Sequence, residues 1–277
     1  MIEPRLDNLR VARRDVGRQP VCLPGGVTIG GGDSFTLFAG PCSVESEDQI
    51  QGAARLATSA GAKVLRGGAF KPRTSPYSFR GLGEEGLKMM RQAADDHHLA
   101  MVTEVLHIGQ VDTVAKYSDM LQVGSRNMQN FELLEAVGGT GMPVLLKRGL
   151  AATVEETLMA AEYIALAGSE QIVLCERGIR TFETSSRNTL DLNSALRLQA
   201  LSCLPVIADP SHGTGRREMV VPMALATRVL GLDGVMVEIH PEPDAALSDG
   251  SQSLDAQGLD ELTRKLALIP PEAVAQA

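Results

Sequence analysis

Cys42, His212, Glu238 and Asp249 offer a thiol, an imidazole and two carboxylates. A mixed sulfur, nitrogen and oxygen set suits a divalent transition metal, and its spread along the chain is unlike the close spacing of a zinc finger. The pattern points to an open catalytic centre, where a metal acts as a Lewis acid on an oxygen such as that of an aldehyde. A second set is cationic: Arg66, Lys71, Arg73, Arg126, Lys147 and Arg177. Guanidinium forks match phosphate and carboxylate oxygens bidentately, and lysine adds a compact charge. Six cations at one place would repel one another without an anion, so the set predicts one ligand with several negative charges, or two phosphorylated ligands. Taken singly, each residue has a plainer reading. A buried Cys is ordinarily a small hydrophobe, a Glu at a strand end pairs with a lysine, and Arg73 or Arg126 pairs with a surface acid.

The chemistry therefore depends on convergence, which the apolar runs supply. Strands are predicted at Thr36–Ala39, Lys63–Arg66, Met101–Glu104, Asp119–Val123, Val144–Lys147, Ile172–Glu176, Val206–Asp209 and Val235–Ile239. Between and after them, helical periodicity covers Glu47–Ser59, Glu84–His97, Ile108–Ala115, Gln129–Ala136, Val154–Ala167, Leu190–Leu201, Arg217–Leu230 and Leu254–Leu268, with Ser46 and Thr153 as capping residues. Strands that read as continuous apolar runs, each followed by a helix, predict an α/β fold: a (β/α)8 TIM barrel. A doubly wound open sheet is the runner-up, but no Gly-rich dinucleotide signature follows the first strand. The predicted layout is an N-terminal extension over 1–35, with VCLPGGVTIGGG as a β-hairpin closing the bottom of the barrel, then the catalytic barrel over 36–270 and a tail over 271–277.

Active sites of such barrels sit at the C-terminal strand ends. Here those ends read GPCS with Cys42, RGG with Arg66, TEV with Glu104, GSRN with Arg126, LLKRG with Lys147, CERG with Arg177, the turn DPSHGTG with His212, and VEIHPEP with Glu238. Polar groups gathered there would cost stability without a ligand to meet them.

A net charge of −8 argues against nucleic-acid binding, although Arg66–Arg80 carries four cations and no acid, which suits a small anionic ligand. Neither an apolar run long enough for a membrane span nor a secretory signal is present, and the four cysteines are widely spaced. These features predict a cytoplasmic protein with reduced thiols.

The motifs AGPCSVES (Ala39–Ser46), LRGGAFKPRTSPYSFRGLG (Leu65–Gly83), GSRNMQNFELL (Gly124–Leu134), PVLLKRG (Pro143–Gly149), CERGIRTFE (Cys175–Glu183), SRNTLDL (Ser186–Leu192), DPSHGTGRRE (Asp209–Glu218) and VEIHPEPDAALSDGSQSL (Val237–Leu254) together resemble the 3-deoxy-D-arabino-heptulosonate 7-phosphate (DAHP) synthases of the type I beta group. The resemblance runs from about Phe38 to Leu268. It implies condensation of phosphoenolpyruvate with erythrose 4-phosphate and water, with release of phosphate, as the first step of the shikimate route to chorismate and the aromatic amino acids. It also implies Cys42, His212, Glu238 and Asp249 as metal ligands, for Mn2+ foremost and Co2+, Fe2+ or Zn2+ as alternatives. Arg66 and Lys71 would hold the phosphoenolpyruvate carboxylate, and Arg126, Lys147 and Arg177 its phosphate. Arg73, Thr74 and Ser75 would receive erythrose 4-phosphate, with Asp209 near the substrate and Lys71 or Glu104 handling protons.

The resemblance extends to the 3-deoxy-octulosonate 8-phosphate synthases, whose acceptor is arabinose 5-phosphate and whose acceptor loop has a KANRSS pattern. Pro72 and Arg73 of KPRTS follow the heptulosonate form, whereas Arg80 replaces the Gln of a SFQGLG pattern. In metal-free relatives the first-strand Cys is typically Asn, so Cys42 favours metal dependence. The stretch before the first strand is shorter than the regulatory domain of some relatives, which predicts a form without built-in feedback control. A homo-oligomer, dimer or tetramer, and a chorismate mutase partner are further expectations from the family. A sugar-phosphate-sensing pseudoenzyme is the contrasting reading, disfavoured because a sensor has no need of all four metal ligands.

Overall fold

The computed structural model describes residues 6–12, 17–31, 35–71, 75, 77–270 and 273–274. Its core is organised by the period of two along each strand. One set of strand residues, Phe38, Val64, Val102, Met120, Leu145, Val173, Ile207 and Met236, forms a single buried cluster. Their immediate neighbours, such as Leu37, Leu65, Met101, Leu121, Leu146, Leu174 and Val235, join a different and larger cluster with the helices. Strands apolar on both faces must be covered on both, which a closed sheet inside a helical ring achieves.

The strands are β3 (Thr36–Gly40), β4 (Val64–Gly67), β5 (Ala100–Val105), β6 (Met120–Val123), β7 (Val144–Lys147), β8 (Ile172–Glu176), β9 (Val206–Ala208) and β10 (Gly234–Glu238), following the hairpin strands β1 (Val21–Leu23) and β2 (Val27–Ile29). β3 to β10 pair in parallel in chain order, and β10 closes on β3 with Met236 opposite Phe38. β3 and β4 approach so closely that a Cβ on Gly40 would run into the Arg66 carbonyl.

The antiparallel hairpin β1–β2 lies where the N-terminal extension is expected. Val21, Leu23, Val27 and Ile29 belong to the barrel-interior cluster, and the Thr36 hydroxyl at the start of β3 donates to the Thr28 carbonyl. The hairpin thus plugs the end of the barrel opposite the strand C-termini. Among the described residues no helix is long and apolar enough to cross a membrane.

The helices are α1 (Glu47–Ser59), α2 (Glu84–Asp96), α3 (Val111–Tyr117), α4 (Phe131–Gly138), α5 (Val154–Ala167), α6 (Leu192–Leu201), α7 (Pro210–Thr214), α8 (Arg217–Val229) and α9 (Ala256–Ala267). Ser46 caps α1, and Thr153 with Glu156 forms a full capping box on α5, as the sequence predicts. Three predicted starts move inward because Asn130, Asp191 and Asp255 cap α4, α6 and α9 rather than lying within them. The predicted helix from Ile108 opens as a 3-10 turn, Ile108–Gln110, before α3.

The larger difference concerns DPSHGTG, predicted as a turn. It folds as the short helix α7: Pro210 occupies the first helical position, Asp209 caps it through the His212 amide, and Gly215 ends it at φ 69°. One helical turn is what brings the His212 ring back over Asp209.

Candidate active site

The alternation that turns Val64, Val102, Met120, Leu145, Cys175, Ile207 and Met236 into the barrel turns Arg66, Glu104, Gln122, Lys147, Arg177, Asp209 and Glu238 inward two residues later. Each strand thus passes from an apolar plug to a polar rim. The rim divides into two adjoining regions.

In the first, Cys42 Sγ and one carboxylate oxygen each of Glu238 and Asp249 lie within 4.8 Å of one another. His212 Nε2 stands 3.4 Å from Glu238 Oε1 and 4.0 Å from Asp249 Oδ2. The structure therefore brings Cys42, Glu238 and Asp249 into one group and sets His212 beside its two carboxylates, although Cys42 and Asp249 follow their strands by loops rather than belonging to them. His212 Nδ1 is 2.8 Å from Asp209 Oδ2, and the other Asp209 oxygen accepts from the His212 amide at 3.0 Å.

Neighbouring cations balance these acids. Arg66 Nη1 donates to Glu238 Oε1 at 2.9 Å and to the Pro41 carbonyl at 2.8 Å. Lys71 Nζ lies 2.7 Å from the Cys42 carbonyl and 3.1 Å from its sulfur. Arg187 Nη1 reaches Asp249 Oδ2 at 3.2 Å and Gln252 Oε1 at 2.8 Å, while the Gln252 amide donates to Glu238.

Protonation follows from burial and these partners. Burial, reinforced by the Glu238 charge, pushes the Cys42 thiol up to about 12. Burial also lowers the His212 imidazole, outweighing the pull of Asp209 and Glu238, so the ring is neutral near pH 7. For Asp209 burial acts upward, but His212 and Lys147 overcome it and hold the carboxyl well below the usual range. Asp249 behaves likewise, with Arg187 and His212 bringing it to about 2 against burial. Lys71 is lowered by burial yet raised further by Cys42 and Glu238, and is a firm ammonium. A protonated thiol, two carboxylates and a neutral imidazole with its Nδ1 proton committed to Asp209 fit a divalent cation: three hard or borderline donors are ready, and the thiol releases a proton on binding.

The second region is a cavity of about 160 Å3 whose walls include Arg66, Lys71, Glu104, Arg126, Lys147, Arg177 and His212. Five cations of the predicted set converge here beside the donor cluster, which they reach through Arg66, Lys71 and His212. Lys147 Nζ pairs with Asp209, and Gln122 Nε2 donates to Glu104 Oε2 at 3.3 Å.

Two of the predicted residues, Ser75 and Asp209, stand outside the cavity wall. Arg73 and Thr74 lie outside the described residues. Ser75 is exposed, its hydroxyl accepting from the Tyr77 amide, and is not part of the cavity wall. Asp209 is fully buried with its oxygens taken by His212 and Lys147, so it stands behind the cavity rather than in it. Conversely, Arg180, Arg187 and Gln122 line the cavity without having been singled out. Gln122 was findable from the strand period. Arg180 and Arg187 lie within the motifs CERGIRTFE and SRNTLDL, on a connection where no period indicates direction.

Fold and rim together define a (β/α)8-barrel enzyme whose mouth joins a metal-type donor set to an anion cradle. Residues 11–268 match the DAHP synthetase I family, and the chain belongs to that family. It is 52% identical over 242 residues to a phospho-2-dehydro-3-deoxyheptonate aldolase of Thermotoga maritima, covering 87% of this chain and 71% of that one. The crystal structure of the DAHP synthase of the same organism superposes with a TM-score of 0.92 at 48% identity, over 96% of this chain and 78% of that one. A 2-dehydro-3-deoxyphosphooctonate aldolase of Desulfotalea psychrophila is more distant, at 30% identity over 90% of this chain and 95% of its own length.

Proposed function

We propose that this chain condenses phosphoenolpyruvate with D-erythrose 4-phosphate and water, giving 3-deoxy-D-arabino-heptulosonate 7-phosphate and phosphate, the first step of the shikimate pathway. The observation that carries the proposal is the cavity bounded by Arg66, Lys71, Arg126, Lys147 and Arg177 directly beside the Cys42, His212, Glu238 and Asp249 donors. The stronger similarity to a heptonate aldolase than to the octonate aldolases supports the four-carbon acceptor.

Arg66 and Lys71 bind the phosphoenolpyruvate carboxylate, and Arg126, Lys147 and Arg177 bind its phosphate. Holding both ends fixes the methylene carbon against the aldehyde and replaces a bimolecular encounter by a positioned one. Arg73, Thr74 and Ser75 receive the erythrose 4-phosphate end. Cys42, His212, Glu238 and Asp249 would hold a divalent metal, which would supply Lewis-acid polarisation of the aldehyde oxygen. Lys71, an ammonium 3.1 Å from the Cys42 sulfur, is placed to give a proton to an oxygen at that site, while Glu104 faces the same cavity as an acceptor. The cradle's charge stabilises the phosphorylated intermediate whose carbon next to the new bond is attacked by water before phosphate leaves.

Free thiols at Cys22, Cys42 and Cys175 support a cytoplasmic setting. A homo-oligomer, and a chorismate mutase as its partner, complete the proposal.

Phosphate release tests the reaction, acceptor and metal together. Release with erythrose 4-phosphate and added manganese, little with arabinose 5-phosphate and none after chelation is the expected result. Preference for arabinose 5-phosphate moves the chain to the octulosonate activity. No release with either sugar under any divalent metal leaves a sugar-phosphate sensor.

A further inference from the structure

Between β8 and α6 runs the connection 177–191, which carries Arg177, Arg180 and Arg187 into the cavity. Its two ends meet at one side chain. Glu176 Oε1 accepts from the Gly178 amide at 2.6 Å, just after β8, and from the Asp191 amide at 3.3 Å, just before α6. Its other oxygen accepts from Arg148 Nη1 at 2.8 Å, and the same Arg148 nitrogen lies 3.1 Å from Asp191 Oδ2.

Arg148 directly follows Lys147, and its Nε donates to the Ala152 carbonyl at 2.9 Å. The neck is closed further by paired backbone bonds between Ile179 and Thr189, both 2.9 Å, and by the Arg180 amide on the Leu150 carbonyl at 2.8 Å. Gly178 has φ 92°, and a Cβ there would come within 2.8 Å of the Asn188 Cβ, so the chain can turn this tightly only at glycine.

We infer that Glu176, backed by Arg148, is a positioning residue that pins both ends of this connection and so sets the geometry of the phosphate cradle. The inference rests on the reading of that cradle given above. Glu176 has no exposed surface and Arg148 only 5%, so neither touches substrate from where it stands. A buried ion pair adds little net stability over an apolar pair of the same volume. What this carboxyl does that an apolar side chain could not is accept three donors from two loops at once. Each contact donates to it, so an amide in its place must turn its NH2 toward either Arg148 or the Gly178 amide, setting donor against donor.

The test uses the manganese-loaded protein and three variants, E176Q, D191N and R177A. Calorimetry gives the phosphoenolpyruvate Kd and steady-state kinetics give KM and kcat. For folded E176Q the expected result is a Kd and KM for phosphoenolpyruvate raised roughly tenfold, with kcat within about threefold of the parent. D191N keeps the helix cap but loses one partner of Arg148, and should raise Kd by about threefold. Hydrogen exchange at the Gly178 and Asp191 amides should quicken in E176Q, a change that general destabilisation would spread over the barrel. Wild-type phosphoenolpyruvate affinity in E176Q, with R177A weakened, overturns the clamp alone; a fall in kcat without a change in Kd does the same. Wild-type affinity in R177A overturns the cradle itself and the clamp with it. If E176Q does not fold, D191N decides, and an unchanged Kd there overturns the inference.

Discussion

The imidazole of His212 is bound on one side by the carboxylate of Asp209, with Nδ1 2.8 Å from Oδ2, and on the other its Nε2 faces Glu238 at 3.4 Å. Because Asp209 stays ionised, the ring proton sits on Nδ1 and the Nε2 lone pair is directed into the donor cluster. D209N removes the charge that selects this tautomer and leaves Lys147 without its counter-ion. Manganese affinity, measured by titration at pH 7, should fall by roughly 10- to 100-fold. An unchanged affinity would show that Asp209 does not orient the ring.

Metal binding should release a proton from Cys42. Its thiol, pushed up to about 12, is protonated throughout the neutral range, whereas the carboxylates are already ionised and His212 is already neutral. Titrations in two buffers of different ionisation enthalpy should show about one more proton released by the parent than by C42A between pH 7 and 9. Parent affinity should rise with pH over this range. Equal proton release by both proteins would remove the thiolate from the coordination sphere.

Asp249 predicts an acid limb of stability in the metal-free protein. Its folded value, brought to about 2 from an ordinary 3.8, is depressed, so the stabilisation is fully present above about pH 4 and is lost as pH falls towards 2. The contribution is on the order of 2 kcal/mol. Urea unfolding should therefore find D249N less stable than the parent at pH 6, with the gap narrowing as pH falls below 4. A gap constant with pH would mean that the ion pair with Arg187 contributes nothing.

How much of this was legible in the chain depends on whether a residue sits on a periodic element. The strands could be read because apolar runs buried on both faces leave no polar gap until the strand ends, and Arg66, Lys147 and Glu238 mark those ends directly. Helix starts slipped where Asn130 and Asp191 proved to be caps, since a capping side chain and a first-turn side chain look alike in sequence. Asp209 is two residues beyond an inward-facing Ile207, so the strand period puts it at the rim beside the expected substrate, whereas the helical turn of α7 commits its oxygens to His212 and Lys147 behind the cavity. Arg180 and Arg187 were illegible for a plain reason. They lie on a connection whose direction is set by Glu176 and Gly178, through contacts that no spacing encodes.

The hairpin supplies a stability prediction separate from the mouth. Ile29 is fully buried within the interior cluster that also holds Phe38 and Ile207. I29A leaves a cavity at the closed end and should cost about 2–5 kcal/mol in urea unfolding. The phosphoenolpyruvate KM should not move, because the cradle lies at the opposite end of the strands. A raised KM at full folding would show that the plug and the mouth are coupled.

The central claim is that a metal held by Cys42 and its three companions shares one cavity with phosphoenolpyruvate. Paramagnetic relaxation of the phosphoenolpyruvate 31P resonance by protein-bound manganese measures this directly. Strong relaxation in the parent, weakened in C42A and in R177A, is the predicted result. A 31P signal that ignores bound manganese in the parent would separate the two regions and contradict the account.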